Sequence, residues 1–193
     1  MKPRKITHRE RALFYSAAFP DWPSLQADDR WLSGIWILGN DYRNKTKLYG
    51  SYPPNYLKRV QSMFPDCKDI LHVCSGALPP GDYTRFDLRE DAKPDVVGDV
   101  HKLSSYFSKK KFDIIYIDIP YSIEDALHYG TPMVKRKTAL QECAKVLKKG
   151  GQLVWLDQAL PQFAKRDFHW YGLIAIQRSS NHRIRGCYLF EKV

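Results

Sequence analysis

The strongest constraint on the fold is the regular alternation of strand and helix patterns after residue 53. Short apolar runs rich in β-branched residues predict buried strands at residues 69–73, 83–86, 95–99, 112–117 and 152–156. Helix patterns fall before and between these runs, at residues 55–63, 103–107 and 138–147. Strands that alternate with helices predict a parallel sheet with right-handed crossovers.

Two further strands are predicted at residues 173–177 and 186–191. The segment between them is too short for a parallel crossover, so the two strands should form an antiparallel hairpin. We therefore expect an α/β fold whose mostly parallel, seven-stranded sheet carries a C-terminal antiparallel hairpin.

Residues 1–45 differ in character from the rest of the chain. A short helix is predicted at residues 7–19, and the prolines at 20 and 23 prevent its continuation. Residues 31–38 are aromatic and apolar. We interpret residues 1–45 as an extension that packs on a single main domain of residues 46–193.

Composition excludes several classes of protein. No apolar run approaches the roughly 18 residues that a membrane span needs, and residues 7–11 are too polar for a secretory signal. The cysteines are far apart and form no CxxC pair, which argues against a metal site or a disulfide framework. We expect a cytoplasmic protein with reduced thiols, no metal and no membrane partner.

The charge of the chain favours a polyanionic partner. Its formal net charge is +10 and its pI is about 9.4, with lysine and arginine in short clusters such as residues 109–111 and 135–137. Basic patches on a small domain bind nucleic acid because neutralised phosphates release their counterions. A basic surface that is simply solvated would show the same composition, so charge alone leaves both interpretations open.

The residues that follow the strands are the candidates for chemistry, because ligands of open parallel sheets bind beyond the carboxyl ends of the strands. Cys74, Ser75 and Gly76 follow the first parallel strand, and Asp87 follows the second. Asp99 and Val100 follow the third. The fourth strand ends in Asp118, Ile119, Pro120 and Tyr121. A single aspartate at such a position could equally be a surface residue or a helix cap.

Taken in order, these segments resemble the class I methyltransferases, which use S-adenosylmethionine. The resemblance covers most of the chain from residue 49 onward and implies a Rossmann-like fold with this cofactor. It implies that Cys74, Ser75 and Gly76 form the glycine-containing cofactor loop. It further implies that Asp87 accepts hydrogen bonds from the ribose hydroxyls, and that Asp99 and Val100 contact the adenine. Tyr52 and Pro53 are similar to a segment that encloses the methionine end of the cofactor.

Residues 118–121 resemble the Asp-Pro-Pro-Tyr signature of amino-methyltransferases that act on adenine N6 or cytosine N4, with Ile119 in place of the first proline. An exocyclic amine is a poor nucleophile because its lone pair is delocalised into the ring. The Asp118 carboxylate and the Ile119 carbonyl would accept its hydrogens and align the nitrogen for attack. Tyr121 would stack on the base. The resemblance thus implies methylation of a nucleic-acid base, with N6-adenine in DNA as the leading substrate.

Contacts with the substrate are expected from the loop at residues 122–137 and from the tip of the C-terminal hairpin. The candidates are Lys135, Arg136, Asn181, His182 and Arg183. The chain has no room for a separate target-recognition domain, so Trp31, Trp36 and Arg43 of the extension are candidates for that role. Three alternatives stay open: an RNA base methyltransferase, a small-molecule methyltransferase, and a catalytically silent module that binds nucleic acid or a partner.

Overall fold

The computed structural model describes residues 5–39, 52–109, 111–178 and 181–193, although the side chains of residues 181 and 182 are outside the description. The α-helices of these residues are α1 (His8–Ala18), α2 (Tyr56–Ser62), α3 (Leu103–Tyr106), α4 (Ile123–His128) and α5 (Arg136–Val146). The strands are β1 (Gln26–Ala27), β2 (Leu32–Leu38), β3 (Ile70–Val73), β4 (Thr84–Asp87), β5 (Val96–Val97), β6 (Phe112–Asp118), β7 (Leu147–Asp157), β8 (Phe168–Arg178) and β9 (Asn181–Lys192). Every helix and strand predicted from the sequence is present, but β7, β8 and β9 each begin five residues before the predicted start.

All the strands of the described residues belong to one sheet, in the order β1-β2-β8-β9-β7-β6-β3-β4-β5. Strands β3 to β7 pair in parallel with one another, whereas β9 runs antiparallel to both β7 and β8. This arrangement confirms the predicted parallel sheet with a C-terminal antiparallel hairpin.

The predicted number of seven strands was wrong, because the sheet has nine. The two additional strands come from the N-terminal segment: β1 pairs with β2, and β2 pairs in parallel with β8 along its whole length. Leu32, Trp36 and Leu38 of β2 are buried, while Ile35 and Ile37 are exposed on the opposite face. This alternation is typical of a strand with one covered face.

The N-terminal segment packs through α1 and β2. Helix α1 begins at a capping box in which Thr7 and Glu10 each accept a backbone N–H of the other. The helix buries Tyr15, whose ring stacks on Trp36 at 5.3 Å between centroids. The boundary that we placed between residues 45 and 46 lies outside the described residues.

Helices cover the two faces of the sheet. On one face α5 buries Leu140 and Val146 against the strands, and on the other α1 and α2 bury Tyr15, Tyr56 and Val60. This three-layer arrangement leaves the carboxyl ends of β3, β4 and β6 open at one edge. No helix in the described residues is long and apolar enough to cross a membrane.

One local feature departs from the sequence expectation. The loop predicted at residues 122–137 contains α4, which starts at the side-chain cap of Ser122. The connection from β7 to β8 is residues 158–167, in which Phe163 packs edge-on against Phe190 at 5.3 Å.

Candidate active site

A cavity lies at the carboxyl ends of β3, β4 and β6 and has an empty volume of about 760 Å³, including its open mouth. The cavity is lined by nine of the residues that were predicted to bind the cofactor or to take part in catalysis: Tyr52, Cys74, Ser75, Gly76, Asp87, Asp99, Val100, Asp118 and Pro120. Three others do not line it. Pro53 faces a separate surface depression, Ile119 turns its side chain into the core with 2% exposed, and Tyr121 lies behind Asp118.

The turn after β3 forms one wall of the cavity. Cys74 (φ 54°) and Gly76 (φ 52°) both adopt the left-handed conformation, which makes this turn sharp. The hydroxyl of Ser75, a residue with 2% exposed, has no hydrogen-bond partner among the described residues. A buried hydroxyl without a partner is costly, and Ser75 is one of the residues that line the cavity.

The Asp87 carboxylate is held rigidly at the end of β4. Its Oδ2 accepts the Gly76 N–H at 2.8 Å, and its Oδ1 accepts the Arg89 N–H at 2.9 Å. Only 7% of the residue is exposed. Each carboxylate oxygen can accept about two hydrogen bonds, so both oxygens retain acceptor capacity for donors in the cavity, such as a pair of adjacent hydroxyls.

Asp99 belongs to a chain of hydrogen bonds that the sequence analysis missed. Its Oδ1 accepts the backbone N–H of His101 at 2.9 Å and lies 2.7 Å from the ring Nδ1 of the same histidine. The Nε2 of His101 accepts the backbone N–H of Lys135 at 2.9 Å. Since Nε2 is an acceptor, the ring proton lies on Nδ1 and is donated to Asp99. Burial raises the pKa of Asp99, but the hydrogen bonds from His101 outweigh it, and the pKa is lowered overall.

Asp118 ends β6 and its side chain is only partly exposed in the cavity. The Tyr121 hydroxyl donates to its Oδ1 at 2.5 Å. Burial raises the pKa of Asp118 to about 6, although the positive charge of Arg185 and the hydrogen bond from Tyr121 both lower it. The group is therefore an ionised acceptor above about pH 6 and a neutral acid below it.

Tyr121 differs from its expected role as a free stacking platform. The Arg185 guanidinium lies over its ring, 4.8 Å from the centroid, and its hydroxyl is bonded to Asp118. One face of the ring is therefore occupied by a cation, and Tyr121 is not among the residues that line the cavity. Arg185, like His101, was not among the candidates from the sequence.

The predicted substrate-binding residues separate into different environments. Arg136 binds the fully buried Asp157 through two hydrogen bonds, at 2.7 and 3.0 Å, and also donates to the Tyr121 carbonyl. Its guanidinium therefore anchors the loop that follows β6, and this geometry contradicts the prediction that it is free for a phosphate. Lys135 has an exposed side chain, and Arg183 lies 3.5 Å from Asp125 with 57% of its side chain exposed. The side chains of Asn181 and His182 lie outside the described residues.

The extension offers fewer contact residues than we predicted. Trp36 is only 1% exposed and belongs to the core, so it cannot contact a nucleic acid. Trp31 packs edge-on against Trp170 at 4.8 Å. Arg43 is outside the described residues. The hypothesis that this segment recognises the target is thus wrong for Trp36.

No family model matches the sequence, and no curated protein matches it. Among solved structures, the chain is similar to TrmN from Thermus thermophilus, with a TM-score of 0.56 and 16% identity over 77% of this chain and 52% of TrmN. The chain has the class I methyltransferase fold. It matches about half the length of TrmN.

A second neighbour of this class I methyltransferase fold is the N-methyltransferase NodS from Bradyrhizobium japonicum, in complex with S-adenosylhomocysteine. The TM-score is 0.46 and the identity 15%, over 65% of this chain and 78% of NodS.

Proposed function

We propose that this protein is an S-adenosylmethionine-dependent methyltransferase that modifies an exocyclic amine of a nucleic-acid base. One observation carries the proposal: Asp118 and Pro120 line the same cavity as Ser75, Asp87 and Asp99. Acceptors for a nucleoside cofactor and a carboxylate for the target amine therefore meet in one place.

The cavity residues fit S-adenosylmethionine. Asp87 retains acceptor capacity for both ribose hydroxyls, and Asp99 for the adenine amine. Leu88 and Val100 give the cavity apolar walls, as is typical of small-molecule sites. The unpartnered Ser75 hydroxyl is a donor or acceptor for the polar end of the cofactor. When bound, the cofactor would supply an electrophilic methyl group.

Asp118 would prepare the amine for attack. Its ionised carboxylate accepts an N–H of the amine, which draws the nitrogen lone pair out of the ring and fixes its direction. The partly buried position strengthens this hydrogen bond, because the local dielectric is lower than in water. Tyr121 would act through Asp118, since its hydroxyl holds the carboxylate in one orientation.

The charge of the chain favours a nucleic acid over a small molecule. The net charge is +10. Lys135, at the start of α5, and Arg183, near the start of β9, both have exposed side chains. We favour adenine N6 in DNA as the substrate because residues 118–121 are similar to the signature of enzymes with that activity. Since the cavity requires an unstacked base, single-stranded DNA or a flipped nucleotide would be bound.

A survey of modified nucleosides tests the proposal. The protein is incubated with S-adenosylmethionine and, separately, with single-stranded DNA, duplex DNA and RNA, and the digested nucleosides are analysed by mass spectrometry. We expect N6-methyladenine in DNA with the wild type and with Asp29→Asn, a control at a carboxylate that is 86% exposed. We expect none with Asp118→Ala.

Other outcomes are equally informative. Methylcytosine, or a methylated base in RNA alone, would retain the enzyme but replace the substrate. Calorimetry with S-adenosylmethionine and S-adenosylhomocysteine is the second measurement. If neither ligand binds, the proposal of a methyltransferase is wrong and a silent binding module takes its place.

A further inference from the structure

Arg185 occupies an unusual position beside the proposed catalytic carboxylate. It lies on β9, and its guanidinium packs over the ring of Tyr121 at 4.8 Å from the centroid. The hydroxyl of the same tyrosine donates to Asp118. Tyr121 therefore contacts both residues: its ring packs against Arg185, and its hydroxyl bonds Asp118.

The other charged groups around Asp118 have partners of their own. Asp157 on β7 is bound by Arg136, and Asp125 on α4 lies 3.5 Å from Arg183. For Arg185, in contrast, no carboxylate is within ion-pair distance in the described part of the chain. Its charge is thus available to Asp118.

The titratable and charged groups that act on Asp118 come from every element packed around it. They are Tyr52 before α2, Tyr56 on α2, Cys74 after β3, Tyr121 on its own loop, Asp125 on α4, Asp157 on β7 and Arg185 on β9. Burial and the two aspartates favour the protonated form of Asp118, whereas Arg185 and the Tyr121 hydroxyl favour the ionised form. Arg185 is the cation in this set.

We infer that Arg185 is a positioning residue of the active site: its guanidinium holds the Tyr121 ring and keeps the Asp118 carboxylate in the acceptor form that a target amine requires. The inference rests on the proposed function, because it assigns Asp118 the amine. A strand supplies the arginine: Arg185 pairs with Ile176 of β8, and the next residue, Gly186, also pairs with Asp157 of β7. Arg185 touches neither cofactor nor amine in this scheme.

The direct test is a pH titration of the Asp118 carboxyl carbon by ¹³C NMR, with the resonance assigned from Asp118→Asn. We expect Arg185→Gln to move the titration of Asp118 upward by about one pH unit, and Arg185→Lys to restore most of the wild-type position. Lys192→Gln, which removes a cation from the other end of β9, should leave the titration unchanged. Arg185→Met repeats the measurement if the glutamine variant does not fold.

The kinetic test is the pH dependence of kcat for methyl transfer. We expect Arg185→Gln to lower kcat several-fold, up to about tenfold, near pH 6, and to approach the wild type near pH 8.5, where Asp118 ionises in both proteins. A merely structural loss would lower kcat equally at both pH values.

Two outcomes separate the inference from the proposed function. An unchanged Asp118 titration in Arg185→Gln and Arg185→Met would overturn the inference, whatever the activity. If the titration moves as expected but no nucleic acid is methylated by the wild type, the positional effect of Arg185 stands and the proposed reaction is the part that fails.

Discussion

Replacing Asp118 by asparagine should remove activity and at the same time stabilise the protein. The raised pKa of Asp118 indicates that its ionised form is unfavourable in the fold. Burial destabilises the charged carboxylate by more than Arg185 and the Tyr121 hydroxyl stabilise it. Asparagine keeps the shape of the side chain and an oxygen that can accept from the Tyr121 hydroxyl, but it carries no charge. The substitution therefore isolates the cost of the charge.

The magnitude follows from the two pKa values. The pKa of Asp118 is about 6 in the folded protein, against an ordinary value of 3.8, and each pKa unit corresponds to about 1.36 kcal/mol. The ionised carboxylate thus costs about 3 kcal/mol at most, and screening by water in the cavity lowers our expectation to about 1–3 kcal/mol.

The sign depends on pH. The folded pKa lies above the unfolded one, so the folded state binds the proton more tightly, and stability is lost as pH rises from about 3.8 to about 6. Asp118→Asn does not undergo this loss, because asparagine carries no charge. Its gain in the free energy of unfolding over the wild type should be complete above about pH 6 and should nearly vanish near pH 4.

The assay is urea denaturation followed by circular dichroism at about pH 8 and about pH 4, with Asp29→Asn as the exposed control. We expect a gain of about 1–3 kcal/mol at the higher pH only, together with a loss of methyl transfer of at least about 100-fold. A gain of equal size at both pH values, or none at pH 8, would refute the argument that the buried charge is the cause.

Three further substitutions test other parts of the site. Ser75→Ala should weaken S-adenosylmethionine binding about five- to tenfold by calorimetry without loss of stability, since the hydroxyl has no partner in the described protein; a marked drop in melting temperature would contradict this. Asp87→Asn should weaken cofactor binding at least about tenfold, because its amide cannot accept from both the Gly76 and Arg89 N–H groups; unchanged affinity argues against its ribose role. Arg136→Met should cost about 2–3 kcal/mol in urea denaturation by leaving Asp157 buried and unpaired, and adding Asp157→Asn should recover at least half of that loss.

The fold could be predicted to a large extent because the signals for it are local. Residues 112–117 contain three isoleucines and two aromatic residues, which are typical of a buried strand, and the helix pattern of residues 138–147 lies close to the observed bounds of α5. The convergence of Asp87, Asp99 and Asp118 on one cavity follows from topology alone, since the carboxyl ends of parallel strands meet at one edge. These parts needed no knowledge of side-chain packing.

The errors concern residues whose partners are distant in sequence. Strand β2 alternates in burial, but whether residues 31–38 join the sheet depends on β8, far along the chain. Arg136 has the charge of a residue that binds phosphate, but it forms an ion pair with the buried Asp157 instead. Arg185 and His101 acquire their roles only through Tyr121 and Asp99. A charge pattern shows that an arginine is present but does not show which carboxylate it will meet.

The parallel pairing of β2 with β8 has a consequence for biosynthesis. Leu32 pairs with Gly172, so 140 residues separate the two partners (172 minus 32). A ribosome that adds about 5–20 residues per second would leave β2 without this neighbour for several seconds after its emergence. During that time Leu32, Trp36 and Leu38, which the folded protein buries, and the unpaired backbone groups of β2 are accessible to chaperones or to other nascent chains. Residues 32–38 are therefore among the last to acquire their native pairing, and a truncation that removes β8 should leave this edge of β2 unpaired.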